Sequence, residues 1–73
     1  MTLLDAEISS TVSIEQISLP QSRLQAICLG FGPGTTVQVV QKLPHGPVVV
    51  RQRGRNVAIG YELARCIVVT VLS

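Results

Sequence analysis

Arg23-Leu24-Gln25-Ala26-Ile27-Cys28-Leu29-Gly30-Phe31-Gly32-Pro33-Gly34 separates two hydrophobic rhythms. Up to Leu29 the apolar residues recur at helical spacing. Leu24, Ile27 and Cys28 fall at i, i+3 and i+4, which predicts one apolar helix face, with Leu29 covering the helix end. Gly30 is the expected left-handed C-cap, because a residue without Cβ tolerates the positive φ at which a helix stops. Gly32-Pro33-Gly34 removes a backbone donor and breaks any continuation, so the segment reads as a hinge from helix to strand.

Beyond the hinge the period is two. Between Thr35 and Leu43, Val37, Val39 and Gln41 point to one side and Thr36, Gln38, Val40 and Lys42 to the other, which predicts a strand. Pro44-His45-Gly46-Pro47 reverses the chain as a hairpin turn. Val48-Val49-Val50 opens the returning strand, Arg51, Gln52 and Arg53 carry it toward solvent, and Gly54-Arg55-Asn56 is expected to reverse it again. Val57-Ala58-Ile59 gives a short strand ending at Gly60. Glu62 to Arg65 fits one helical turn, and Cys66 to Leu72 closes the chain as a strand apolar on both faces.

Upstream of the hinge, Val12 and Ile14 alternate while Ile17 falls out of phase, predicting a first strand over about 11–16 with a bend near its end. Pro20 suits the first turn of the helix, with Ser18 as N-cap and Gln21 as a weak capping-box partner. Leu3 and Leu4 are expected to fold back onto the core. Five short strands with one helix between the first two, and a helical turn before the last, are too few for two packed sheets. The expected architecture is a mainly β, small barrel with Leu24, Ile27 and Leu29 capping one open end.

Seventy-three residues make a single domain, which buries only about 60% of the surface of its unfolded chain. The apolar share is 47%, mostly Val, Ile and Leu, with one Phe, one Tyr and no Trp, the composition of a β-rich core of branched side chains. No run reaches the roughly 18–20 apolar residues of a membrane span. Asp5 and Glu7 stand where a secretory signal would carry basic residues, so a cytoplasmic protein with reduced thiols is expected. Cys28 and Cys66 both lie in apolar patterns and read as core residues.

The segment from Arg23 to Gly34, the alternation after it, the Pro44 to Pro47 turn, the glycine hairpin at Gly54 and the ending Ala58-Ile59-Gly60-Tyr61-Glu62-Leu63-Ala64-Arg65-Cys66-Ile67-Val68 together resemble the FeoA family over about residues 3–71. The order of these motifs, more than any single one, carries the likeness. The resemblance implies an SH3-like β-barrel in a small, non-enzymatic, cytoplasmic accessory protein of bacterial ferrous-iron uptake. It also implies association with FeoB, the membrane permease whose cytoplasmic part binds GTP. The chain departs from the pattern at Ala6-Glu7-Ile8-Ser9-Ser10, where glycines are usual, and at Gly60-Tyr61, where many members carry two basic residues. Two other readings fit a small SH3-like chain: a module like those of iron-dependent repressors, and a small metal-binding iron carrier.

The candidate sites follow from residue chemistry. Arg51, Arg53 and Arg55 supply half of the six basic residues, and on a single strand they would share one face. That face serves either solubility or contact with a carboxylate-bearing protein surface, which suits the bidentate guanidinium. The net charge of +2 and the lack of stacking aromatics speak against nucleic acid, and two aromatic residues are too few for an ordinary polyproline groove. Pro44 and Pro47 mark an exposed turn suited to protein contact. Phe31 is either a core plug or an exposed anchor. His45, Cys28, Cys66, Asp5, Glu7, Glu15 and Glu62 form no metal-ligand motif. No cofactor is expected, although an exposed His45 could take up a transition metal adventitiously. No nucleophile motif, P-loop or carboxylate pair points to catalysis. Unpaired barrel edges leave association between copies open.

Overall fold

The computed structural model describes all residues from Met1 to Ser73. Five antiparallel strands, β1 (Thr11–Ile17), β2 (Thr36–Lys42), β3 (Val48–Gln52), β4 (Arg55–Ile59) and β5 (Ile67–Val71), form one curled sheet in the order β4-β3-β2-β1-β5. A nine-residue helix, α1 (Pro20–Cys28), joins β1 to β2, and a single turn, α2 (Tyr61–Ala64), precedes β5. The mainly β fold with its two helical insertions is as expected. No helix is long and apolar enough to cross a membrane.

Two bulges adjust the strand periods. Glu15 is the extra residue of β1, so Ile14 faces Val69 while Gln16 faces Val68, and Ile17 is returned to the core face beside Ile67. That bulge accounts for the phase break after Ile14 and extends β1 to Ile17. Val40 does the same in β2, between Val39↔Val50 and Gln41↔Val49. Beyond it Lys42 pairs with buried Val48 and so lies on the inner face, opposite to the expectation from simple alternation. Its Nζ donates to the Ala6 carbonyl at 2.8 Å, which satisfies the ammonium at the core rim.

The core is one cluster of sixteen buried apolar residues with no buried polar side chain. Each strand contributes to it, Leu3 and Ala6 fold back onto it as expected, and Phe31 is its largest fully buried side chain. The helix contributes differently from its apparent pattern. Ala26 alone is buried from α1, whereas Leu24, Ile27 and Leu29 are 65%, 50% and 43% exposed and Cys28 is exposed as well. Ser22, half-buried, and Ala26, fully buried, lie one turn apart on the side of the helix turned toward the core. Helical spacing identified an apolar face, but that face points outward, and Phe31 performs the plugging assigned to the leucines.

The hinge itself has the expected form. Gly30 has φ +89°, and the Phe31 N–H returns to the Ala26 carbonyl at 2.7 Å while the Gly30 N–H returns to Ile27 at 3.0 Å, a Schellman ending. Gly34 at φ +92° completes the following turn, with the Thr35 N–H donating to the Gly32 carbonyl at 3.2 Å. At the other end of α1 the N-cap is Leu19 with no side-chain cap, so the Ser18 cap is not formed and Pro20, at the first helical position, sets the helix start alone.

The two sheet edges differ. Thr2 bridges to Val68, and the Val69 N–H donates to the Met1 carbonyl at 2.9 Å, so the N-terminal residues occupy part of the β5 edge. They are held by a 3-10 turn at Leu3–Asp5, in which the Thr2 N–H donates to the Asp5 carboxylate at 2.9 Å. β4 pairs only with β3 and its other edge is uncovered.

Phe31→Ala is expected to remove about 3–5 kcal/mol of stability, a large part of the roughly 4–11 kcal/mol available to a domain of this length. Leu24→Ala should change urea unfolding by less than about 0.5 kcal/mol. The Thr2 N–H bond holds the Asp5 carboxyl below its ordinary pKa, only partly offset by desolvation. A depressed folded pKa contributes stability that is present above the unfolded carboxylate range and lost as pH falls through the folded value. Asp5→Asn should therefore flatten the acid limb of the stability profile below pH 4, measured by thermal melts, and leave its alkaline side unchanged.

Candidate functional site

The β3–β4 hairpin turns through two residues, Arg53 at φ +52° and Gly54 at φ +81°. Two successive left-handed residues make a type I′ turn, the form that matches strand twist in two-residue hairpins. The reversal therefore lies at Arg53-Gly54 rather than at Gly54-Arg55-Asn56, and Arg55 already belongs to β4. This breaks the single arginine face expected from alternation. Gln52 pairs with Arg55 and Arg51 with Asn56, and cross-strand partners share a face. Gln52 and Arg55 thus continue the inner face of Val50 and Val57, while Arg51 lies on the outer face and donates its Nε–H to Asn56 Oδ1 at 3.0 Å.

On the inner side the hairpin tip approaches the turn between α1 and β2. The Gln52 amide donates to the Gly30 carbonyl at 3.1 Å and ties the two loops together. Beside this tie is an open groove of about 470 Å³ lined by Leu29, Gly30, Thr35, Gln52, Arg53 and Arg55. It is continuous through Thr35, Gln52 and Arg53 with a second hollow of about 450 Å³ that reaches Pro33 and Gly34. No carboxylate lines either one.

The distribution of charge sharpens this site. Arg65 pairs with Glu62 at 3.1 Å, the one salt bridge of the chain. Lys42 and Arg51 are occupied by Ala6 and Asn56. Arg53 and Arg55 make no side-chain hydrogen bond, and both are exposed. Their guanidinium groups are free to receive a bidentate acceptor.

The remaining candidates are dispersed. Pro44 and Pro47 flank the β2–β3 turn at the far end of β3 from the arginine tip, with Pro44 exposed and Pro47 half-buried. The five residues of β3 separate the two turns by roughly 16 Å. His45 stands in that turn at φ +54°, its ring centroid 5.9 Å from that of Tyr61. Phe31 is 1% exposed, so it is the plug and not a surface anchor. Cys28 is exposed and Cys66 half-buried, which corrects the core placement of Cys28. No three His, Cys, Asp or Glu side chains come together. Gln52 and Thr35 were not apparent as site residues in the sequence; the signal available was the Arg53-Gly54 pair, whose two-residue turn fixes which side chains face inward.

The FeoA domain family matches residues 1–71. The chain belongs to the FeoA family. A crystal structure of an iron uptake regulatory protein, FeoA, superposes on this FeoA chain with a TM-score of 0.87 at 28% identity, over 99% of this chain and 96% of that one. An NMR structure of a FeoA-like protein from Clostridium acetobutylicum gives 0.87 at 28% identity, over 100% and 87%. The FeoA of Stenotrophomonas maltophilia, a zinc complex described as a procaryotic SH3 domain protein, gives 0.78 at 24% identity, over 96% and 89%, and shares the fold. No curated protein sequence matches the chain. Membership in the FeoA family supports a role as an accessory factor of ferrous iron transport.

Gln52→Ala is expected to cost about 0.5–1.5 kcal/mol and to speed amide hydrogen exchange at the Arg53-Gly54 tip, read by NMR, because the bond to Gly30 is the tie between the two loops.

Proposed function

We propose that this FeoA-family chain is a non-enzymatic accessory factor that docks on the cytoplasmic GTP-binding domain of a FeoB-type permease and regulates ferrous iron uptake from the cytoplasmic side. The observation that carries the reading is the pair of unpartnered arginines, Arg53 and Arg55, held at the edge of a polar groove without a carboxylate. The chain's four acidic groups lie elsewhere: Glu62 is paired with Arg65, Glu15 accepts from Ser13 and Thr70, Asp5 accepts from Thr2, and Glu7 lines neither hollow.

A surface that offers two forked donors and no acceptor charge is complementary to one that offers carboxylates. Such complementarity acts mainly on the rate and register of association, and it weakens with salt. The rigid backbone beneath adds to specificity, since a type I′ turn and the Gln52 bond to Gly30 fix where the two guanidinium groups start. The partner supplies the nucleotide chemistry in this reading, and the accessory chain supplies shape and charge.

Arg53→Glu/Arg55→Glu is expected to weaken binding to the soluble GTP-binding domain of the cognate permease by tenfold or more, or about 1.4 kcal/mol or more. Arg51→Glu, on the opposite face, should change it by less than about threefold, or 0.7 kcal/mol. Calorimetric titrations in GDP and GTP-analogue states, with folding confirmed by NMR, give the comparison; equal affinity of the double variant and the parent would remove the groove from the interface.

A further inference from the structure

We infer that the outward face of α1 is a second docking surface, a groove that takes an apolar segment flanked by an acidic residue on the same protein partner. The inference rests on the docking reading above. Its basis is an apolar surface for which the fold has no use. Pro20, Leu24 and Ile27 lie on neighbouring turns of the outer side of α1, and with Ile17, Ser18 and Arg23 they line an open groove of about 320 Å³. Leu24 is 65% and Ile27 50% exposed. A solvent-facing helix side is ordinarily polar, and a contiguous apolar patch on so small a domain marks an interaction surface.

The charge at the groove selects among occupants. Arg23 is the only charged residue of α1 and makes neither an ion pair nor a side-chain hydrogen bond. It therefore calls for a carboxylate beside the apolar side chains. A second copy packing α1 on α1 has none to offer, because the helix contains no acidic residue, and it would set Arg23 toward Arg23. A lipid surface is held by several basic residues along the polar face of a helix, and α1 has one. A protein segment with one or two aliphatic side chains next to Asp or Glu satisfies both the groove and the cation.

The test uses the full chain against purified full-length FeoB in nanodiscs, with empty nanodiscs in parallel and sedimentation of the free protein. Leu24→Ser/Ile27→Ser replaces exposed side chains and should confine NMR shift changes to α1 and the residues beside it, Ile17, Ser18 and Gly32. The expected result is binding of the parent to FeoB nanodiscs alone, a tenfold or greater loss in the Leu24→Ser/Ile27→Ser variant, and a shallower salt dependence with a several-fold loss in Arg23→Glu. Affinity within twofold of the parent for Leu24→Ser/Ile27→Ser overturns the α1 groove while leaving the arginine docking reading in place. Equal binding to empty nanodiscs assigns the face to lipid, and a parent dimer converted to monomer by the same variant assigns it to a second copy; either result overturns the inference. Absence of parent binding to FeoB removes the docking reading and the groove's partner together.

Discussion

Insertion of Phe31 into the core is the contact on which the rest of the arrangement depends. The aromatic ring is the largest fully buried side chain, and it comes from a connecting segment, not from a regular element. Its position requires the helix to stop one residue earlier, in the left-handed conformation of Gly30, so that the chain turns inward as the Phe31 N–H closes on Ala26. The same segment is then anchored on both sides, by the Gly34 N–H on the Ile14 carbonyl at 2.7 Å and by the Gln52 amide on Gly30. A bulky plug delivered this way leaves α1 with little to bury. The helix can rest on Ala26 and Ser22, and its larger residues are released to solvent.

The outward apolar face and the arginine groove are therefore two products of one turn. α1 ends where the groove begins, and Gly30 and Leu29 belong to the wall of the groove. Arg23, Arg53 and Arg55 make no ion pair or side-chain hydrogen bond and line the grooves at α1 and at the hairpin tip, whereas Asp5, Glu15 and Glu62 accept from Thr2, from Ser13 and Thr70, and from Arg65. A net charge of +2 understates this asymmetry, since local pairing and not the total determines which charges remain available to a partner.

The succession of strands and the placement of the helices along the chain were legible because glycine, proline and alternation act locally. Gly30, Gly34 and the Pro44 to Pro47 turn divide the chain by backbone geometry alone, and the β2 and β3 cores follow from period two. The phase of α1 was not legible, since Leu24, Ile27 and Cys28 define an apolar side without stating whether the core lies under it. Which side docks was decided by the plug that follows. The arginine cluster failed for a related reason. Alternation at 51, 53 and 55 assigns one face only while the strand is straight, and a tight turn at Arg53-Gly54 places Arg51 and Arg55 on opposite sides of the ribbon. Lys42 is the third case, where a bulge at Val40 inverts the assignments downstream of it in β2.

The unequal rims of the sheet carry one more consequence. In a two-residue hairpin Gln52 and Arg55 form the hydrogen-bonded pair, so the backbone groups of Arg55, Val57 and Ile59 turn toward β3 and those of Asn56 and Ala58 turn away from it. At the opposite rim, Met1 and Thr2 already use part of what β5 offers. The sheet thus has a single fully vacant growth front. A strand added from another chain finds every outward backbone group available at β4 and only part of them at β5.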